Sequence, residues 1–173
     1  MKMYMILLLL LILVIFVCAC SSGKAGEPPQ ENPPAGDPMD IASFSFQHSA
    51  SMAGDCYMFT VAKKDGEIHL YAEEQFSGGR IVDTMIEEPV LTQLGEMVGI
   101  YHIDLWDGFD KSRRDVLDGS SFSLEVTLAD GSTICARGNN SFPQQYSEVY
   151  AVVRELYTGL MDRYGLEQTE HTS

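Results

Sequence analysis

The chain has 173 residues, of which 25 are acidic and 11 are basic, and its formal net charge is −14. Nucleic-acid phosphates and anionic lipid headgroups repel such a chain, so its charge argues against either of them as a partner. The length is sufficient for one domain of ordinary size with its own hydrophobic core.

A short basic N-terminus precedes 13 consecutive apolar residues, Met5 to Val17. A helix needs about 20 apolar residues to cross a bilayer, so this run predicts a secretory signal rather than a membrane span. The run leads into Val17-Cys18-Ala19-Cys20, which resembles the lipobox of bacterial lipoproteins. That resemblance implies that residues 1–19 are a signal peptide and that Cys20 carries a diacylglyceryl group. The alternatives are a plain signal peptide or an uncleaved anchor.

Two acyl chains anchor a protein stably, whereas one chain binds a membrane only marginally. The lipobox resemblance therefore implies a lipid-anchored protein on the extracytoplasmic face of the cell membrane, with the membrane as its partner through the anchor. Residues 20–39 contain five of the chain's seven prolines and no aromatic or β-branched residue. Such a segment cannot bury enough apolar surface to become ordered, so it predicts a disordered tether after the lipidated cysteine.

Residues 40–165 are predicted to form a single α+β domain, and residues 166–173 a polar tail. Alternating apolar and polar residues predict five strands, at residues 41–48, 57–63, 67–73, 122–128 and 132–137. Asp65-Gly66 and Asp130-Gly131 each separate two of these strands and predict hairpins, the first with a type I′ turn.

Two helices complete the predicted domain. Pro89 suits the first position of the first helix, whose apolar stripe contains Leu91, Leu94, Val98 and Tyr101. Gly95 and Gly99 weaken this helix by about 1 kcal/mol each relative to alanine. The second helix is predicted at about residues 147–163, with Ser147 as N-cap and a buried stripe of Val149, Val152, Val153, Leu156 and Leu160.

The resulting order, β-β-β-α-β-β-α, predicts an antiparallel sheet of about five strands with two helices packed on one face. This order and its turns resemble small uncharacterised domains of bacterial lipoproteins. The resemblance rests on Tyr57–Tyr71, Trp106-Asp107-Gly108-Phe109, Val116-Leu117-Asp118-Gly119, Phe122-Ser123-Leu124, the Asp130-Gly131 turn and Gly138–Pro143. It implies a fold and assigns no activity.

The usual motifs of catalysis and metal binding are absent from the sequence. There is no nucleophile elbow, no His-Glu-x-x-His, no Cys-x-x-Cys and no phosphate-binding glycine loop. The sequence therefore predicts no catalytic residue, no metal and no cofactor. His102 and Asp104 are the one close histidine–carboxylate pair considered as a site, and we interpret them as surface residues at a helix end.

One stretch indicates a binding surface. Trp106 and Phe109 precede Arg113 and Arg114 on a predicted loop, and Asn139 belongs to the loop before the second helix. These five residues are our hypothesis for a surface that binds an acidic or aromatic ligand, or a partner. The alternative is that the two aromatic rings fill the edge of the core, since buried aromatic residues usually serve packing.

Two cysteines fall inside the predicted domain. Cys56 and Cys135 alternate with core residues, so both are expected on the face of the sheet opposite the core. Outside the cytoplasm such a pair can oxidise to a disulfide, and the alternative is two free thiols.

Two functions follow from these observations. The first is a non-enzymatic binding or interaction module for an unknown protein or small-molecule ligand. The second is a small extracytoplasmic hydrolase that acts on cell-wall or peptide material. The missing catalytic motifs favour the first function.

Overall fold

The structure is a computed structural model that describes residues 36–50, 55–75, 79–86, 89–113 and 119–170, with only the backbone for the last five of these. The described residues belong to one compact unit, Pro34–Ser173. The predicted signal peptide, Cys20, most of the tether and Arg114 lie outside the described residues.

Seven strands form one mixed sheet: β1 (Ile41–Ala50), β2 (Tyr57–Lys64), β3 (Glu67–Glu74), β4 (Ile81–Ile86), β5 (Phe109–Ser112), β6 (Ser120–Leu128) and β7 (Thr133–Asn139). The helices are α1 (Val90–Ile100) and α2 (Tyr146–Glu170), and a short 3-10 helix spans Ile103–Trp106. The strand order is β4-β3-β2-β1-β6-β7-β5, and only the β5–β7 pair is parallel. The predicted α+β class is confirmed, but the sheet has more than five strands and is not purely antiparallel.

One face of the sheet, which we call the covered face, carries the core. Phe46 of β1 lies between Phe59 of β2 and Leu124 of β6, and all three side chains are buried. Residues of α1 and α2 belong to the same buried cluster as these strand residues. Each large apolar side chain contributes about 1.5–3 kcal/mol by its burial. The period-2 alternation in the sequence therefore identifies the core side of the five predicted strands.

The opposite face, which we call the open face, is formed by the alternate residues of the same strands. Ser45 and Thr60 are partly exposed there and share a hydrogen bond of 3.0 Å between their hydroxyl groups. Glu125 of β6 and Cys135 of β7 are paired in register and are exposed. The open face is thus polar along the middle strands.

The sequence pattern misses the two edge strands. Ile81 and Met85 of β4 are 52% and 57% exposed, so this strand lacks the usual alternation of buried apolar and exposed polar residues. β5 has only four residues, three of them exposed, and it pairs with β7 in parallel. That pairing depends on where the chain returns to the sheet after α1, which no local pattern encodes.

Both predicted hairpins are present. Asp65 and Gly66 have φ angles of 53° and 89°, as a type I′ turn requires. In the second hairpin Gly131 has a φ of 87°, and the Asp130 carboxylate accepts a hydrogen bond of 2.8 Å from the backbone N–H of Ser132. A short side-chain acceptor therefore stabilises the second turn locally.

The second helix differs from its prediction at its start and on its buried stripe. It begins at Tyr146, so Ser147 lies inside the helix and the prediction of Ser147 as N-cap is wrong. Val152 is 37% exposed, whereas Tyr146 and Tyr157 are buried. The helix is rotated about its axis relative to the predicted stripe because its tyrosines, not only its aliphatic residues, pack into the core.

The glycines of α1 have a packing role. The backbone N–H of Met39 donates a hydrogen bond of 3.0 Å to the carbonyl oxygen of Gly95. A Cβ atom at Gly95 would lie 2.0 Å from the Met39 carbonyl oxygen, and one at Gly99 would lie 2.0 Å from that of Asp37. These glycines therefore allow the segment before β1 to lie directly against the helix, despite their low helix propensity.

Candidate functional site

The aromatic residues of the predicted binding surface are part of the core edge. Trp106 is only 3% exposed, and its ring centroid lies 6.1 Å from that of Tyr146 and 6.2 Å from that of Phe122. Phe109 is partly buried, with its ring 6.2 Å from Phe122. Trp106 is therefore not available as a contact residue at a surface.

The polar residues of that predicted surface lie along one edge of the sheet. The backbone N–H of Arg113 donates a 2.9 Å hydrogen bond to the carbonyl oxygen of Asn139, and both residues are exposed. The Asn140 side chain accepts a 2.9 Å hydrogen bond from the Ser120 N–H and donates one of 3.4 Å to the Arg113 carbonyl oxygen. The parallel β5–β7 pairing thus brings Phe109, Arg113 and Asn139 to the same edge.

A cavity of about 440 Å³ opens beside this edge, on the open face of β5, β6 and β7. We call it the edge groove. The residues that matter for its chemistry are Phe109, Asp110, Ser123, Glu125, Cys135 and Arg137. Of these residues, Phe109 was predicted from the sequence as part of a binding surface and Cys135 as a possible disulfide partner. The others were not predicted, because they come from strands that are distant along the chain or that the sequence pattern missed.

The edge groove presents charges of both signs. The guanidinium of Arg137 forms an ion pair of 2.8 Å with the Asp110 carboxylate, and the two side chains are 72% and 63% exposed. An ion pair this exposed contributes about 0–1 kcal/mol to stability. Arg137 and Asp110 can therefore give up this ion pair and bind polar groups of a ligand at little cost in stability. Glu125 lines the same groove and is exposed.

The two cysteines of the domain are free thiols. Cys135 belongs to β7 and is exposed, whereas Cys56 directly precedes β2 and is partly buried. Strands β1 and β6 lie between β2 and β7, which places the two strands about 14 Å apart at the usual spacing of about 4.8 Å. A disulfide requires Cα atoms within about 7 Å. The hypothesis of a Cys56–Cys135 disulfide is therefore wrong for this fold.

A second group of polar residues, buried or partly buried between β1, β2 and α2, was not predicted from the sequence. We call it the histidine cluster: His48, Tyr57, Tyr146, Tyr150 and Tyr157. The Nδ1 atom of His48 lies 3.1 Å from the Tyr146 hydroxyl, and its ring centroid lies 4.6 Å from that of Tyr150. The signal in the sequence is the alternation Phe44, Phe46, His48, which aligns the histidine with two core residues.

Charged side chains stand at the rim of the histidine cluster. Asp55 accepts a hydrogen bond from the Tyr150 hydroxyl and forms an ion pair with Arg154. Arg154 also donates a 3.4 Å hydrogen bond to the Tyr150 hydroxyl, and its guanidinium carbon lies 5.4 Å from the centre of the Tyr57 ring. The cluster is thus closed on one side by a compensated pair of charges.

Burial changes the acid–base properties of the cluster. Burial raises the pKa of Tyr57, Tyr146 and Tyr150, and burial together with the nearby Glu74 carboxylate raises the pKa of Tyr157 to about 12. All four phenols are therefore protonated at neutral pH. Burial, and then the positive charge of Arg154, lowers the pKa of His48. Its imidazole is consequently neutral at neutral pH.

Two hydroxyl groups of the cluster are buried without a hydrogen-bond partner among the residues that the structure describes, those of Tyr57 and Tyr157. Their rings stack with centroids 4.4 Å apart. Buried polar groups usually find hydrogen-bond partners, so these two hydroxyl groups are exceptions. The contact between the two side chains therefore depends on the packing of their rings.

Comparisons with protein-family models, with curated proteins and with solved structures found no match. Within the described ranges, no three or more His, Cys, Asp and Glu residues are grouped so that they can hold a metal ion. His102 is partly buried and Asp104 is exposed. The helices in the described part of the chain are too short or too polar to cross a membrane.

Proposed function

We propose that the chain is a lipoprotein, anchored through Cys20 on the extracytoplasmic face of the membrane, whose α+β domain is a non-enzymatic binding or interaction module. The lipobox-like residues Val17 to Cys20 support the anchor. The proline-rich tether holds the domain away from the bilayer. The edge groove is the binding site for the partner.

The observation that carries the binding function is the groove on the open face. Among the described residues, both helices contribute to the buried cluster on the covered face, which supports the binding of a partner on the opposite, open face. A cavity of about 440 Å³ is of the size that small-molecule or peptide side-chain sites occupy. Its charged lining residues, Asp110, Glu125 and Arg137, come from three strands and are exposed.

The groove favours a polar partner that carries both a negative and a positive or amide group. Such a partner replaces the Asp110–Arg137 ion pair with two matched contacts, a carboxylate on Arg137 and a donor on Asp110 or Glu125. A segment of a protein, with its alternating side chains and backbone amides, has this chemistry. The expected occupant is therefore a polar protein segment.

The hydrolase alternative is less well supported by the same residues. Cys135 and Ser123 line the groove, but none of the lining residues is a histidine that can act as their base. His48 is buried, and its Nδ1 atom contacts a tyrosine hydroxyl rather than a carboxylate. A nucleophile–base–carboxylate arrangement of the kind used in acyl transfer is not formed by these groups.

The binding proposal is tested by site-specific photo-cross-linking in cells that carry the full chain. A cross-linking residue at Asp110 should capture one protein, and the same residue at Met85, which is exposed on the other edge strand, should not. When Arg137→Glu is added to the chain that carries the cross-linking residue at position 110, the cross-linked product should disappear. Capture at both positions, or a product insensitive to the Arg137 change, would contradict the groove as the site.

The anchor is tested separately with a radioactive or clickable fatty acid. Cys20→Ala should abolish labelling and leave the precursor uncleaved, because the acceptor thiol is gone. Cys18→Ala is the matched control and should be labelled and processed normally. Val17 directly precedes Cys18, and a lipobox has a small residue at that position, so Cys18 is not the expected acceptor. Persistent labelling of the Cys20→Ala chain would show that another residue is the acceptor.

A further inference from the structure

We propose that His48 is an acid-sensitive latch that holds the first turns of α2 against the sheet. This inference concerns the covered face and does not depend on the proposed edge groove. It rests on the position of one imidazole between a strand and two successive turns of a helix.

The geometry makes His48 the link between β1 and α2. Its Nδ1 atom lies 3.1 Å from the Tyr146 hydroxyl, and its ring lies 4.6 Å from the Tyr150 ring. Tyr146 and Tyr150 are four residues apart, so they lie on the same side of the helix. His48 is 7% exposed, and water cannot replace these contacts without separating the helix from the strand.

The groups that face His48 from each packed element determine the effect of a proton. β2 contributes the neutral phenol of Tyr57, and α2 contributes Tyr146, Tyr150 and the guanidinium of Arg154. β6 contributes Phe122, which pairs with His48 in register and carries no charge. Asp55, just before β2, is the carboxylate that the structure places beside Tyr150 and Arg154, and both of them already share it. Glu74 of β3 acts on the other end of the cluster, at Tyr157.

Protonation therefore introduces a second positive charge near Arg154 without a carboxylate of its own. The ring faces of Tyr57 and Tyr150 attract a cation, but burial and Arg154 act against it, and the pKa of His48 is lowered from its ordinary value of 6.5. Below that value the unfolded or opened chain binds the proton more readily than the closed chain. The latch is fully effective above about pH 6.5 and weakens as the pH falls toward the lowered pKa.

The consequence is local opening of α2 rather than loss of the sheet. Tyr146 begins the helix, and its ring contacts Phe142, Phe122 and Trp106 at centroid distances of 4.5, 4.6 and 6.1 Å. Trp106 is the single tryptophan of the chain. Its fluorescence therefore reports on the movement of Tyr146 and of the first turn of α2.

Amide hydrogen exchange of the full chain in detergent micelles tests the latch, measured at about pH 7.5 and about pH 5 and corrected for intrinsic exchange. Protection of residues 146–157 should fall several-fold at the lower pH, while protection of β6 should change little. His48→Phe keeps a buried ring without a titrating group and should remove this pH dependence. His69→Phe is the matched control on the open face of β3 and should preserve it.

Arg154→Met provides a second variant if His48→Phe does not fold. It keeps the side-chain stem but removes the neighbouring positive charge, so protonated His48 is less disfavoured and the acid-induced opening should be smaller. Trp106 fluorescence should follow the same pH course as the exchange data. Equal acid-induced opening in the native chain, the His48→Phe chain and the Arg154→Met chain would overturn the proposal, and so would exchange that rises equally in β6 and α2.

Discussion

The covered and open faces of the sheet differ at adjacent residues of the same strands. Phe59 has no exposed surface and packs with Phe44 at a ring distance of 6.1 Å, whereas Thr60, the next residue, is partly exposed and bonded to Ser45. On the covered face the side chains pack against several neighbours, whereas on the open face Ser45 and Thr60 share a single hydrogen bond. Stability is therefore concentrated on the covered face, and the contacts of the open face can change at a smaller cost in stability.

The largest predicted effect tests this contrast directly. Phe59→Ala should lower the free energy of unfolding by about 3–5 kcal/mol, because it leaves a cavity in a closely packed core. Thr60→Ala, one residue away, removes a hydroxyl bonded to Ser45 and should cost no more than about 1 kcal/mol. Urea unfolding of both variants gives the two values. Losses of similar size would contradict the division of roles between the faces.

The two helices differ in the space around their glycines: Gly95 of α1 is closely packed, whereas Gly159 of α2 is not. Gly95→Ala should destabilise by about 1–3 kcal/mol, because its Cβ would collide with the Met39 carbonyl oxygen, and this exceeds the gain of about 1 kcal/mol in helix propensity. Gly159→Ala, in α2, meets no atom within 4 Å and should stabilise by about 0.5–1 kcal/mol. Thermal or urea unfolding measures both. Stabilisation by both alanines would show that Met39 does not approach α1 this closely.

Two tyrosine hydroxyl groups of the histidine cluster differ in their hydrogen bonding. Tyr146→Phe removes the partner of His48 Nδ1 and should cost about 1 kcal/mol at neutral pH. Tyr157→Phe removes a buried hydroxyl that has no partner among the described residues, so it should be neutral or slightly stabilising. Unfolding free energies measured in parallel at pH above 7 distinguish the two. A larger loss for Tyr157→Phe would mean that its hydroxyl does form a hydrogen bond.

The smallest stability effect is expected in the edge groove. Arg137→Ala breaks an exposed ion pair with Asp110 and should change the free energy of unfolding by less than about 1 kcal/mol, and by less still at high salt. Its effect on cross-linking to the partner should nevertheless be large. A loss of several kcal/mol would place Arg137 among the structural residues instead of the binding residues.

Most of the antiparallel part of the fold follows from the sequence. Phe44 and Phe46 alternate with polar residues, and the same period recurs in β2, β3, β6 and β7, because successive side chains of a strand point to opposite faces. The Asp65-Gly66 turn is also local, since it depends on the φ preferences of two residues. The start of α1 is predicted to within one residue: the helix begins at Val90, and Pro89 is its N-cap rather than its first residue. Such features need no knowledge of distant contacts.

The candidate site was predictable only in part. The sequence grouped Trp106, Phe109, Arg113, Arg114 and Asn139, and the structure brings Phe109, Arg113 and Asn139 to one edge while it buries Trp106. Burial of an aromatic residue depends on the rings that surround it, here Tyr146 and Phe122, which come from distant parts of the chain. Composition around Trp106 cannot distinguish a surface ring from a ring that closes the core.

The amino-acid sequence by itself determined the class of fold, the inward face of five strands, the hairpins and the charge, because these depend on periodicity and on the conformational preferences of single residues. Only the tertiary structure decided the parallel β5–β7 pairing, the edge groove beside it, the separation of Cys56 from Cys135 and the burial of His48 under α2. Each of these joins residues that are far apart in the chain, and their meeting depends on strand order and helix rotation, which local preferences do not specify.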